Sequence, residues 1–184
     1  MRMEIRELVQ SLGVTTLFVT HEQIEALTMS DQIGVMNEGV IVQEGTPDQI
    51  YHHPKESFVA NFIGKTNFIT GKVIDANAGN DNAITVQTSI GILRARGFDG
   101  LATGDAARIS IRPENVIVAL GDGAAENTIK GVIQHQAFLG NIVDCVVAAG
   151  EQSILVQLHP ANAGNVGDEV SLQLPHDSCV VIRD

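Results

Sequence analysis

The strongest constraint on this chain is a repeat. Gly104-Asp105, then Ile109 and Ile111, then Val116 and Ile117, return as Gly167-Asp168, then Leu172 and Leu174, then Cys179 and Val180, each match at an offset of 63 residues. Gly71-Lys72-Val73-Ile74 is echoed by Gly131-Val132-Ile133. Self-similarity at a fixed offset is the signature of a duplicated structural unit, here two degenerate copies of roughly five strands each. The apolar runs 71–74, 83–88, 90–95, 107–111 and 116–120 are short and β-rich, and Gly, Asn and Asp punctuate them. That spacing predicts a small barrel or sandwich.

Upstream of residue 66 the pattern alternates between helix and strand. Met3, Ile5, Leu8, Val9 and Leu12 outline an amphipathic helix that Gly13 stops. Thr16 to Thr20, with Leu17, Phe18 and Val19 in a row, predicts a strand buried on both faces in a parallel sheet. Helical spacing returns over 22–29, with Thr20 as its expected cap. A strand over 33–36, the turn Asn37-Glu38-Gly39 and a return over 40–43 predict a hairpin. Thr46-Pro47 opens another helix, through Ile50 and Tyr51, and Phe58, Val59, Phe62 and Ile63 line the next, which Gly64 ends. The expected organisation is an α/β region over residues 1–65 and an all-β region over 66–184, with repeats at about 66–122 and 123–184.

Composition narrows the function. The 184 residues leave room for one large or two small domains, and 44% are hydrophobic, enough for a core. The net charge is −11 and the 11 Lys and Arg are scattered, which argues against a nucleic-acid partner. No run reaches the roughly 18 apolar residues of a membrane span, and MRMEIRELVQ carries charges where a signal peptide is apolar, so a cytoplasmic location is expected. Cys145 and Cys179 lie in strand-like apolar surroundings, where two buried reduced thiols are expected rather than a disulfide.

Most motif-like fragments carry no chemistry. HEQIE, at His21 to Glu25, has Glu25 where the zinc-protease motif needs a second His, so no metal site is expected. Gly64-Lys65-Thr66 reads as a GKT, but a phosphate loop needs a glycine where Val59 stands. Gly121-Asp122-Gly123 lacks the last glycine of a dinucleotide fingerprint, with Glu126 there, and reads as a turn. His52-His53 before Pro54 reads as a solvated pair at a helix end. His21 differs because it directly follows the expected buried strand, and ligands of open α/β sheets sit at the carboxyl ends of strands. From its position alone, a phosphate contact and a plain loop role both stand.

The stretch LFVTHEQIEALTMSDQIGVMNEGVIVQEGTPDQIYHHP resembles the end of the ATPase domain in ATP-binding subunits of ABC importers. The resemblance rests on Thr20-His21-Glu22 as the H-loop, the EALTMSD helix, the Asn37-Glu38-Gly39 hairpin, Gln43-x-Gly45-Thr46-Pro47, and Ile50-Tyr51 with Pro54. Phe58-Val59-Ala60-x-Phe62-Ile63-Gly64 with Asn67-Phe68 is similar to the segment that leaves that domain. Beyond it, Ile111-Arg112-Pro113-Glu114 is similar to the R-P-E signature of the paired OB-like regulatory extension, the TOBE domain.

The resemblance implies a remnant of an ABC ATPase domain over 1–65 followed by a tandem OB-like TOBE unit over 66–184. It implies that His21 contacts the γ-phosphate of ATP, with ATP and Mg²⁺ as cofactors of the full-length parent. It implies a homodimer, integral-membrane permease partners, attachment to the inner face of the plasma membrane, and a small ligand as a candidate occupant of the barrels. The Walker A loop, glutamine loop, signature motif and Walker B acid of that family are not in this sequence, so no cofactor-binding residues are assigned and no ATP hydrolysis by this chain alone is expected. The other reading is a self-standing tandem-barrel protein that binds a small ligand or oxyanion.

Overall fold

The computed structural model describes residues 2–76, 82–119 and 125–183. The Gly121-Asp122-Gly123 turn and the end of the 116–120 run fall outside them. The chain divides into two compact units, Met1–Gly64 and Lys65–Asp184.

The first unit contains α1 (Arg2–Leu12), α2 (Gln23–Met29), β1 (Ile33–Asn37), β2 (Val40–Gly45), α3 (Pro47–His52) and α4 (Ser57–Ile63). Its core is Ile33, Val35, Ile50, Val59 and Ile63, one face each of the hairpin and the last two helices. The β1–β2 turn places Glu38 and Gly39 at φ of 49° and 82°, the left-handed pair that matches the twist of a hairpin. Thr46 caps α3 with a full capping box: its hydroxyl accepts from Gln49 N at 3.3 Å, and Gln49 Oε1 accepts from Thr46 N at 3.0 Å. Buried Gln43 donates to His53 O at 3.0 Å and accepts from Lys55 N at 2.9 Å, pinning the segment between α3 and α4.

The expected buried strand over Thr16 to Thr20 is not formed. Leu17 and Val19 are 91% and 87% exposed, and the unit's one described sheet is β1–β2. An apolar run becomes a parallel strand only beside partner strands that take its backbone hydrogen bonds, and the described residues of this unit supply none. Nor is any residue of α1 buried. That helix meets α2 and the residues just after it through polar contacts: Arg6 Nη1 donates to Thr28 O at 3.3 Å and its Nη2 reaches Asp31 Oδ1 at 2.7 Å, and Arg2 Nε lies 3.5 Å from Glu25 Oε1. Thr20 is not the cap of α2 either. Glu22 holds that position without a side-chain bond, while Thr20 Oγ1 accepts from Glu22 N at 2.9 Å and donates to Glu25 Oε2 at 2.8 Å, shaping the turn before the helix.

The second unit is all-β. Its strands are β3 (Asn67–Asp75), β4 (Ala83–Thr88), β5 (Gly91–Arg96), β6 (Ala106–Ile111), β7 (Ile117–Ala119), β8 (Thr128–Phe138), β9 (Val143–Ala149), β10 (Gln152–Leu158), β11 (Glu169–Gln173) and β12 (Val180–Ile182). They form two lobes. The first is a closed barrel of order β12-β5-β4-β3-β6, and the second an open sheet of order β10-β9-β8-β11-β7.

The repeated sequence makes repeated bonds. Gly104 N donates to Val73 O at 2.8 Å and Val73 N to Asp105 O at 2.9 Å; sixty-odd residues on, Gly167 N donates to Ile133 O at 2.8 Å and Ile133 N to Asp168 O at 3.1 Å. Asp105 and Asp168 each accept a backbone N–H three residues upstream, from Ala102 at 2.9 Å and Asn165 at 2.7 Å. Gly104 and Gly167 sit at φ of 102° and 96°, a conformation side chains disfavour, so the Gly-Asp pair recurs because this turn requires it.

The last strand of each repeat joins the other lobe. β7 pairs with β11, as Ile117↔Gln173, Val118↔Leu172 and Ala119↔Ser171. β12 pairs with β6, as Val180↔Ser110, Val181↔Ile109 and Ile182↔Arg108. Every position in one set is 63 residues from its counterpart in the other. The exchange merges the two interiors: Ile69, Val86, Leu93 and Ile109 belong to one continuous core with Ile133, Val147, Ile154 and Leu172. At roughly 1.5–3 kcal/mol for each such side chain fully buried, this shared core is the main source of cohesion. Cys145 and Cys179 are buried in this unit as free thiols.

Candidate functional site

His21 lies on the turn between the unstructured run and α2. Its side chain is 95% exposed, and its contact among the described residues is Glu22, 3.8 Å from Nε2. No group of three or more His, Cys, Asp or Glu among the described residues is placed to hold a metal ion. A nucleotide's phosphates need a cradle of amides, a lysine and Mg²⁺ ligands, and the residues around His21 do not fit that requirement, so no step of phosphoryl transfer is derived for this chain.

The GKT residues are occupied structurally. Lys65 pairs with Asp144. Thr66 Oγ1 shares a hydrogen bond with Ser110 Oγ at 2.8 Å. His52 lies 3.8 Å from Asp48 Oδ1, one helical turn away, and its ring meets Tyr51 edge-on. Arg112 of the R-P-E segment is buried at 4% exposure, and its Nη1 donates to Lys65 O at 3.0 Å. Pro113 follows at the first position of a short 3₁₀ turn, where its missing N–H costs nothing. The signature thus fastens the start of the second unit to the end of β6.

A concave site that sequence reasoning did not single out lies in the second lobe. It encloses about 330 Å³ and is lined by Lys130, Gly131 and Val132 of β8, Ala148 and Gly150 at the end of β9, and Glu169, Val170 and Ser171 of β11. Its equipment is one cation, one anion and a hydroxyl over apolar walls, suited to holding a small polar molecule. The available signal was the repeat: position 131 is glycine in both copies, as Gly71 and Gly131, because a Cβ there would lie 2.4 Å from Gln87 O or 2.5 Å from Val147 Cγ1.

These features define the class: a duplicated β unit with exchanged strands, carrying a TOBE domain that matches over residues 109–182. Along its length the chain is homologous to the C-terminal half of ABC importer ATP-binding subunits. It is 34% identical to the spermidine/putrescine import ATP-binding protein PotA of Mesorhizobium japonicum, over all of this chain and 50% of that protein. It is 35% identical to PotA 1 of Pseudomonas aeruginosa over the same shares, and 37% identical to PotA of Desulfitobacterium hafniense over 96% of this chain and 47% of that one. The chain thus spans about half the length of the curated relatives it matches. Among solved structures, the cytoplasmic molybdate-binding protein ModG, with molybdate bound, superposes with a TM-score of 0.58 at 14% identity, over 64% of this chain and 96% of that one. That likeness establishes a shared fold.

Proposed function

We propose that this chain serves as the C-terminal, regulatory part of the ATP-binding subunit of an ABC importer. The observation that carries the reading is the similarity to PotA proteins over all of this chain, with a TOBE domain inside it. On this reading residues 1–65 are the end of an ATPase domain. Residues 66–184 are its regulatory extension, and His21 is the histidine that touches the γ-phosphate of ATP. ATP and Mg²⁺ belong to the whole subunit, which works as a cytoplasmic homodimer against integral-membrane permease subunits. The exposed Leu17, Phe18 and Val19 support the reading, since they would be covered by sheet neighbours in a complete ATPase domain. The relatives' names make polyamines the first solutes to test.

The test is a hybrid. The corresponding C-terminal half of the Mesorhizobium japonicum PotA is replaced by this chain, and ATP turnover and spermidine uptake are measured with that protein's permease. The hybrid is expected to be active, and His21→Ala to lower turnover by about 100-fold or more, the scale of a lost group at a reacting centre. A folded hybrid that turns over ATP unchanged by His21→Ala refutes the assignment of His21.

The likeness to ModG, together with Lys130 and Ser171 in the cavity, supports a second reading in which the β unit binds an oxyanion. Calorimetric titration of residues 65–184 with molybdate, sulfate and phosphate decides it. Saturable heat lost in Lys130→Ala is expected on that reading, and no heat with any of the three rejects it.

A further inference from the structure

The two lobes are built alike, yet one is closed and the other open. In the first, Val180 of β12 bridges Arg96 of β5 in parallel, and Arg96 N donates to Cys179 O at 2.8 Å, which shuts the barrel. The equivalent positions in the second lobe are Ile117 and Gln157, and there β7 and β10 stand at opposite edges of an open sheet.

The side chains at this seam differ. Asp144 faces Gln157 across β9–β10 as Ala83 faces Arg96 across β4–β5. Gln157 Nε2 donates to Asp144 Oδ1 at 2.9 Å, and the Lys65 ammonium pairs with Asp144 Oδ2. The counterpart of Lys65, sixty residues on, is Ala125. At these two positions the closed lobe has alanines where the open lobe has an ion pair; its own pair between entering segment and edge strand, Glu126 with Arg94 at 3.3 Å, lies one residue further on. The Asp144 side chain is only 12% exposed, so its charge is costly to leave without a cation, while the Lys65 side chain is 55% exposed. Lys65 is itself fixed by Arg112, whose Nη1 donates to its carbonyl at 3.0 Å.

We propose that the Lys65–Asp144–Gln157 cluster is a latch that holds the second lobe open by tying the end of β10 to the segment entering this unit, and that releasing it lets β7 zip onto β10 as β12 does onto β5. The latch gives the first residue after Gly64 control over whether the second lobe is a sheet or a barrel.

The test is amide hydrogen exchange in the full chain, read at Gln157 against Arg96. In the wild type Arg96 is expected to exchange at least about tenfold more slowly than Gln157, the effect of one net hydrogen bond. Asp144→Ala and Lys65→Ala should each slow Gln157 toward the rate of Arg96. Asp144→Asn, which keeps the shape, and raised salt on the wild type, which screens the half-exposed Lys65, should do so in part. Equal protection of the two amides in the wild type would show the seam already closed and overturn the proposal. So would a Gln157 rate unmoved in the folded variants and in salt.

Discussion

Asn67 and Asn127 each clamp the repeat to which they do not belong. Asn67 accepts from Leu155 N at 2.7 Å and donates to Leu155 O at 2.8 Å; Asn127 accepts from Arg94 N at 2.7 Å and donates to Arg94 O at 2.7 Å. One amide side chain thus satisfies both backbone groups of a strand-edge residue, as a neighbouring strand would.

Replacing either asparagine by alanine leaves an N–H and a C=O without that partner in a largely enclosed seam. Asn127→Ala should lower stability by about 2–4 kcal/mol, from two or three hydrogen bonds and the groups left unpaired. Asn127→Asp should fall as far, because the donors to Arg94 O and Leu174 O are lost. Urea melts of the full chain measure both.

Gly71→Ala and Gly131→Ala should each destabilise by roughly 1–3 kcal/mol through overpacking, since a Cβ meets atoms of the neighbouring strand at 2.4 and 2.5 Å. Gly100→Ala faces no such neighbour and provides a control whose smaller loss comes from its φ of 96°. Denaturant midpoints of the three variants rank the effects.

His21→Ala should leave stability within about 0.5 kcal/mol of the wild type, as for an exposed side chain outside any core. Thermal melts check this and allow its effect on ATP turnover in the hybrid to be read as chemistry.

Burial pushes the Cys179 thiol up to about 12. The folded protein thus resists a charge that the unfolded chain accepts near pH 8.5. The stabilisation is complete below that pH and is lost as pH rises toward 12, so stability should fall across the alkaline range. Cys179→Ala should flatten that fall, measured as urea midpoints between pH 8 and 11. Cys145, raised first by desolvation, contributes in the same direction.

Much of this architecture was legible. The Thr46-Pro47 helix start and the Asn37-Glu38-Gly39 turn act locally, so a few residues specify them, and the Gly-Asp turn was visible because it occurs twice. The exposed run at Leu17 to Val19 was misread because a buried strand and an uncovered apolar segment share one pattern, and partner strands decide between them. The strand exchange was hidden for a related reason: the 63-residue offset shows that β7 and β12 are equivalent but not which lobe each completes. Asn67 and Asn127 carried a usable signal, the same polar residue opening β3 and immediately preceding β8. The cavity at Lys130 and Glu169 left none beyond its glycine, because it is assembled from three strands.

Because Val181 pairs with Ile109, the ribosome must make the whole second repeat before the first lobe can acquire its closing strand. At roughly 5–20 residues per second that is a wait of several seconds, during which β6 emerges with a bare edge. Pairings so distant along the chain also fold slowly once synthesis is over. Until then the nascent first lobe carries an unpaired strand edge open to association, and codons that slow the stretch between β7 and β12 should lower the yield of soluble protein.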